Sequence, residues 1–157
     1  FAEHAETLVR QSRVVQDNSS GFKREILGPA YYENMDRLLG ERSQLLAIVR
    51  DEQLVAHGMV LADDSNLIAT YFGREAGPPC HEWFRLINEV IHIGIERQTS
   101  FINLGRGSYD AKALIGADIE PLHVYARSRF TLVNWLMRRI PNIMQRSLKE
   151  PKRIFRE

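Results

Sequence analysis

A chain of 157 residues suits one domain of ordinary size. Its 21 Lys and Arg nearly balance 20 Asp and Glu, and 44% of the residues are hydrophobic, values of a globular domain rather than a low-complexity chain. No apolar run approaches the roughly 20 residues of a membrane span, and a single cysteine, Cys80, excludes an internal disulfide.

The free thiol and the lack of an evident signal peptide point to a cytoplasmic protein. The first residue is Phe rather than Met, so the chain is expected to be a single domain that is a fragment, or one half of a tandem. Charge is uneven along it. From Arg138 to Glu157 seven Lys or Arg face two Glu, a basic tail that could contact RNA, acidic lipid or another acidic surface, or simply end in solvent.

In chain order, Ala5, Leu8 and Val9 suggest a short helix before the break at Asn18-Ser19-Ser20-Gly21. Pro29 opens a second helix with Tyr32, Met35, Leu38 and Leu39 at helical spacing, and Gly40 stops it. The period then changes. Leu45–Val49, Leu54–Leu61 and Leu67–Phe72 read as strands, separated by Asp51-Glu52 and by Asp63-Asp64-Ser65-Asn66. Turns this short imply an antiparallel meander. After Gly77-Pro78-Pro79, Trp83, Leu86, Ile87, Val90, Ile91, Gly94 and Ile95 form one helical stripe. Gly94 on that stripe would let a strand approach closely. Phe101–Leu104 is a short buried strand, Ser108 can cap a two-turn helix ended by Gly116, Leu122–Ala126 is a further strand, and Phe130–Ile140 is a helix stopped at Pro141. The order gives an α+β fold with one mixed sheet covered by helices: a three-strand meander, then a parallel crossover through the long helix.

Residues 102–121, INLGRGSYDAKALIGADIEP, look at first like a phosphate loop. A Walker loop needs G-x-x-x-x-G-K-[ST], and a dinucleotide loop needs G-x-G-x-x-G. Gly105-Arg106-Gly107 supplies two glycines, but Asp110 stands where the third should be. Two readings remain. Backbone amides of Ser108 to Asp110, with Arg106, could hold an anion at a helix start, and Lys112 one turn on could add charge. Alternatively the glycines only make a tight strand-to-helix turn, with Tyr109 packed on the sheet.

His57, in the strand LVAHGMV, is a candidate base or a satisfied sheet histidine. Alternation puts it on a face with Val55 and Met59, opposite Leu54, Ala56 and Gly58. Tyr71, at the end of the third strand, is a candidate acid or a packing residue. Cys80 and His81 are neighbours that do not face each other on a helix, so a Cys-His nucleophile is not expected. His81, His92 and His123 do not make a metal spacing.

The element order from the second helix onward, with LLAIVRDEQLVAHGMVLAD, LIATYFG and INLGRGSYDAKALIGADIEPLHVYA, resembles the GNAT (acyl-CoA N-acyltransferase) fold, and within it the BioF2-like and FemAB-like branch. There a Gly-rich turn precedes an aromatic residue, a lysine and a Gly-Ala pair, here Leu104-Gly105-Arg106, Tyr109, Lys112 and Gly116-Ala117. The resemblance covers residues 30–127. It implies an N-acyltransferase that moves an acyl or aminoacyl group to a small-molecule or peptide amine. It also implies acyl-CoA as co-substrate and no permanently bound cofactor. Catalysis would fall to His57, Tyr71 and Tyr109, and the donor would be held by Arg74, Arg106, Ser108 and Lys112, in a gap where the third strand splays near Ala69 to Tyr71. A homodimer is a further expectation. The sequence departs from the family at the donor loop, Gly73-Arg74-Glu75-Ala76-Gly77-Pro78-Pro79, where two prolines lack amide donors. That departure leaves open a non-catalytic interaction or pseudo-dimer module.

Overall fold

The structure is a computed structural model, which describes residues 1–19, 25–78, 80–121 and 127–139. The expected strand Leu122–Ala126 and the basic tail beyond residue 139 lie outside the described residues. The chain forms two compact units, Phe1–Gly107 and Ser108–Glu157.

The first unit holds helices α1 (Ala5–Asp17) and α2 (Pro29–Leu39), strands β1 (Ser43–Arg50), β2 (Gln53–Ala62) and β3 (Asn66–Arg74), helix α3 (Glu82–Glu96) and strand β4 (Phe101–Asn103). The sheet order is β1-β2-β3-β4. The first three strands are antiparallel, and β4 lies parallel to β3 after the crossover through α3. The second unit holds α4 (Tyr109–Leu114) and α5 (Thr131–Arg139). No helix among the described residues is long and apolar enough to cross a membrane.

Helix α1 is longer than the apolar pattern suggested. Its buried side is Ala5, Leu8, Val9 and Gln11, and the polar Gln11 breaks the stripe that a sequence reading follows. On α2, Tyr32 and Met35 are buried, but Leu38 is 67% exposed, so the expected stripe is used only in its first half. Pro29 stands in the first turn of that helix, and Gly40 ends it at φ 49°. The Asp51-Glu52 hairpin is closed by two residues in the left-handed region, φ 49° and 60°. A two-residue hairpin loop matches the twist of its strands in that conformation. Asp63 Oδ1 closes the next turn by accepting from the amides of Ser65 and Asn66, at 2.8 and 2.7 Å.

Each face of the sheet carries its own helices. Leu8, Val9 and Tyr32 pack with Leu45 and Leu54 on one side. On the other, Leu86 joins Ile48 and Ala56, and Val90 joins Val60 and Leu67. The α3 stripe ends at Gly94. Ile95 is 70% exposed, because one further residue turns the side chain about 100° away, and Ile93 packs in its place. The glycine does admit a strand closely: a Cβ at Gly94 would stand 2.5 Å from Ile102 Cδ1 and 3.1 Å from Thr99 Oγ1.

Gly94→Val should therefore lower unfolding free energy by about 1–3 kcal/mol through overpacking against β4. Urea denaturation checks this, and the added cost should shrink markedly in an Ile102→Ala background, where the obstructing methyl is gone.

Candidate active site

Two register shifts shape the middle of the sheet. Ile48 pairs with Ala56 but Val49 pairs with Leu54, so Val55 has no opposite residue. Gly58 pairs with Phe72 but Met59 pairs with Thr70, so Tyr71 has none either. Tyr71 takes φ 47°, a conformation non-glycine residues adopt sparingly. A bulge of this kind bends its strand and re-aims the local backbone. The pairing of β3 with β4 covers only Asn66–Ile68 against Phe101–Asn103, whereas its pairing with β2 continues to Arg74. From Ala69 to Arg74, β3 thus has a strand on one side and, among the described residues, none on the other. The bulge sits in this open stretch.

Tyr31, at the start of α2, meets Tyr71 there, with ring centroids 5.9 Å apart. It also stands edge-on to Tyr32 at 5.6 Å. Burial, and then the neighbouring Tyr71 and Tyr32, push the Tyr31 phenol above its ordinary range. Sequence reasoning passed over Tyr31 because it lies off the apolar stripe of α2. The available signal was the Tyr31-Tyr32 pair in the first turn after the helix-opening Pro29-Ala30.

His57 is fully buried. The bulge at Val55 places Leu54 in the α1-side cluster, the side on which His57 meets Gln11, rather than opposite His57 as strict alternation suggested. His57 Nδ1 lies 2.8 Å from Gln11 Oε1. Gln11 Nε2 donates to the Leu54 carbonyl at 2.6 Å and to Glu75 Oε1 at 3.0 Å. Both amide hydrogens being committed, Oε1 is the acceptor, and His57 is the neutral tautomer protonated at Nδ1. Arg10 donates to the same Glu75 oxygen at 2.7 Å. Hydrogen bonds from Arg10 and then Gln11 hold the Glu75 carboxyl below the ordinary carboxylate range. His57 Nε2 is buried without a hydrogen-bond partner among the described residues. Gly73 makes room for the ring, since a Cβ there would overlap His57 Cε1 and stand 2.9 Å from the Ser12 backbone nitrogen. Burial lowers the His57 pKa to about 4.

The other expected residues are placed as follows. Arg74 donates to the carbonyls of Gly77 and Glu75, at 2.8 and 3.3 Å, and so shapes the loop after β3. Glu82, in the first turn of α3, accepts from the Cys80 amide at 2.9 Å, and this carboxylate occupies the helix start. Arg106 is exposed. Ser108 takes φ 51° and makes no side-chain cap on α4, contrary to expectation. The left-handed turn, rather than a hydroxyl, starts that helix. Tyr109 is half-buried and Lys112 is buried within the second unit. Gly116, at φ 79°, follows the end of α4 as expected. No group of three metal-ligating side chains occurs among the described residues. Two open grooves of about 440 and 460 Å³ lie elsewhere, one against α1 beside Arg10 and Arg13, the other beside Gln44 and Ile93.

No family model matches the sequence, and no curated protein matches it. Solved structures do match its shape. A predicted acetyltransferase from Clostridium acetobutylicum, with acetyl-CoA, superposes with a TM-score of 0.60 at 11% identity, over 81% of this chain and 92% of that one. A possible acetyltransferase from Clostridium difficile 630 gives 0.62 at 10% identity, over 83% and 94%. The fold is the GNAT acetyltransferase fold. A ribosomal-protein-alanine N-acetyltransferase from Brucella melitensis biovar Abortus 2308 shares it at a TM-score of 0.53 and 14% identity, over 81% and 94%.

The state of His57 sets a pH dependence. Its folded pKa of about 4 lies below the 6.5 of the unfolded chain, so below pH 6.5 the unfolded state binds a proton that the folded state refuses. Stability is full above pH 6.5 and falls as pH drops from 6.5 towards 4, by up to about 3 kcal/mol from this group. Urea denaturation across that window should show the slope, and His57→Asn should remove most of it.

Proposed function

We propose that this chain is an N-acyltransferase that moves an acyl group from a thioester carrier, acyl-CoA or a related donor, to an amine. The bulge at Tyr71, set where β3 parts from β4, carries the reading. An open strand edge can bind an extended carrier arm much as it would another strand. A backbone amide re-aimed by the bulge can polarise the thioester carbonyl and stabilise the oxyanion that forms as the amine adds. The new C–N bond forms, the C–S bond breaks, and the proton that the amine loses balances the one that the departing thiolate takes up.

The side chains around the bulge suit proton delivery rather than removal. Tyr31 holds its phenolic proton at neutral pH as a tyrosine ordinarily does, and with Tyr71, whose ring it meets, it is our candidate for the group that protonates the sulfur or orients the amine. His57, buried and with Nδ1 bound to Gln11, is proposed for a supporting role rather than as the base. Arg106, Ser108, Tyr109 and Lys112 keep the proposed role of contacts to the carrier, in keeping with the BioF2-like and FemAB-like branch.

One observation favours a second reading. The loop that would cradle a pyrophosphate is spoken for: Arg74 binds its carbonyls, and Glu82 sets a carboxylate at the α3 N-terminus, where an anion would otherwise settle. This supports a carrier other than CoA, or a non-catalytic module that uses the same edge to dock a partner.

Calorimetry with acetyl-CoA and a longer acyl-CoA, beside a thiol-release assay over a panel of amines, separates these. The enzyme reading expects donor binding and turnover. It also expects Tyr71→Gly, which keeps the amide and accepts positive φ, to retain far more activity than Tyr71→Pro, which loses the amide, with roughly a 100-fold gap in kcat. Absence of heat and of turnover with both donors would leave the module or a donor other than CoA.

A further inference from the structure

We propose that α5 docks on an acidic phospholipid surface, lying along the membrane rather than crossing it. Along this helix Leu132 is 73% exposed, Trp135 53%, Leu136 49% and Val133 43%, and Phe130 just before it is 55% exposed. At about 100° per residue, Leu132, Val133 and Leu136 fall on one side, with Trp135 at its margin. The opposite side is committed to the turn that starts the helix. Asn134 Oδ1 accepts from the Ser128 amide at 2.7 Å, and its Nδ2 donates to the Ser128 carbonyl at 2.7 Å. An exposed cluster of large apolar side chains on a short helix calls for a covering surface.

Charge selects the surface. From Arg127 to Glu157 there are nine Lys or Arg and two Glu, a net of +7. The remaining 126 residues hold twelve Lys or Arg and eighteen Asp or Glu, a net of −6, and the two sum to the +1 of the chain. Arg127 and Arg129 precede the helix, and Arg138 and Arg139 occupy its last turn. An apolar face with a tryptophan, bracketed by cations, is the pattern of helices that lie in the interface of anionic bilayers. A second copy meeting this face through its own would bring two +7 segments together. A nucleic acid would use the cations but has no use for Leu132, Val133 and Leu136.

Co-flotation of the full chain with vesicles tests the proposal, using phosphatidylcholine alone and phosphatidylcholine mixed with phosphatidylglycerol. Binding is expected only to the mixed vesicles, weakening at high salt. In a Trp83→Phe background the emission of Trp135 should shift to the blue on binding. Leu132→Glu combined with Leu136→Glu changes exposed positions only. It should leave the circular dichroism spectrum intact and cost at least about tenfold in vesicle affinity. The proposal is overturned by any of four results: no binding to mixed vesicles at low salt, equal binding to neutral vesicles, undiminished binding of the double variant, or tighter binding to single-stranded RNA than to the mixed vesicles. It is also overturned if sedimentation shows a dimer that the double variant dissolves, which would assign the face to a second copy.

Discussion

The hydrogen bond between Gln11 and His57 is the contact on which the arrangement of the first unit turns. Two polar side chains with no exposure meet between α1 and the sheet, where a missing partner would cost about 1–3 kcal/mol. The amide of Gln11 also reaches the Leu54 carbonyl and the Glu75 carboxylate. One side chain therefore ties the helix to the start of β2 and to the residue just beyond β3. The contact needs Gly73, because any side chain there would displace the imidazole. It leaves His57 Nε2 without a hydrogen-bond partner among the described residues.

This clamp and the bulge at Tyr71 lie on the same two strands. His57 pairs with Gly73, and the register slips between that pair and Met59–Thr70. Holding the Gly73 end of β3 under α1 while its other end pairs with β4 leaves the extra residue between them to absorb the mismatch. Tyr71 does so with a positive φ, and its ring rests near Tyr31. Strain of this kind, kept in place by surrounding structure, is commonly found at functional sites. The open edge is thus a consequence of how the sheet is gripped from both sides, rather than a property of the strand by itself.

The loop after β3 and the start of α3 show the converse. Their polar groups are largely turned inward, Arg74 onto carbonyls and Glu82 onto an amide. On the proposed acyltransferase reading, a self-capped helix start would leave carrier selection to contacts along the arm more than to a phosphate group. The exposed apolar face of α5 and the charge split of the chain are a separate feature from the bulge.

Much of the fold was legible in the residues. Short turns between apolar runs determined the antiparallel meander, a heptad-like stripe determined α3, and a glycine on that stripe announced the close approach of β4. These are local or periodic signals, and a chain carries them wherever it goes. The site was legible only in part. Alternation placed Leu54 and His57 on opposite faces, and the bulge at Val55 undid that, because register is decided by two strands together. Gln11 drew no role from the sequence, and only the fold sets it against His57 across the core, while Tyr31 had no mark in the sequence beyond its neighbour. Ser108 looked like a cap, and the turn before it left it in the left-handed region instead. Among the described residues, the sequence by itself determined which segments are helix or strand and their order. Only the tertiary structure decided which residue of β3 is extra, which side chains share the gap beside it, and which polar groups are already spent on one another, since each of these depends on partners tens of residues apart.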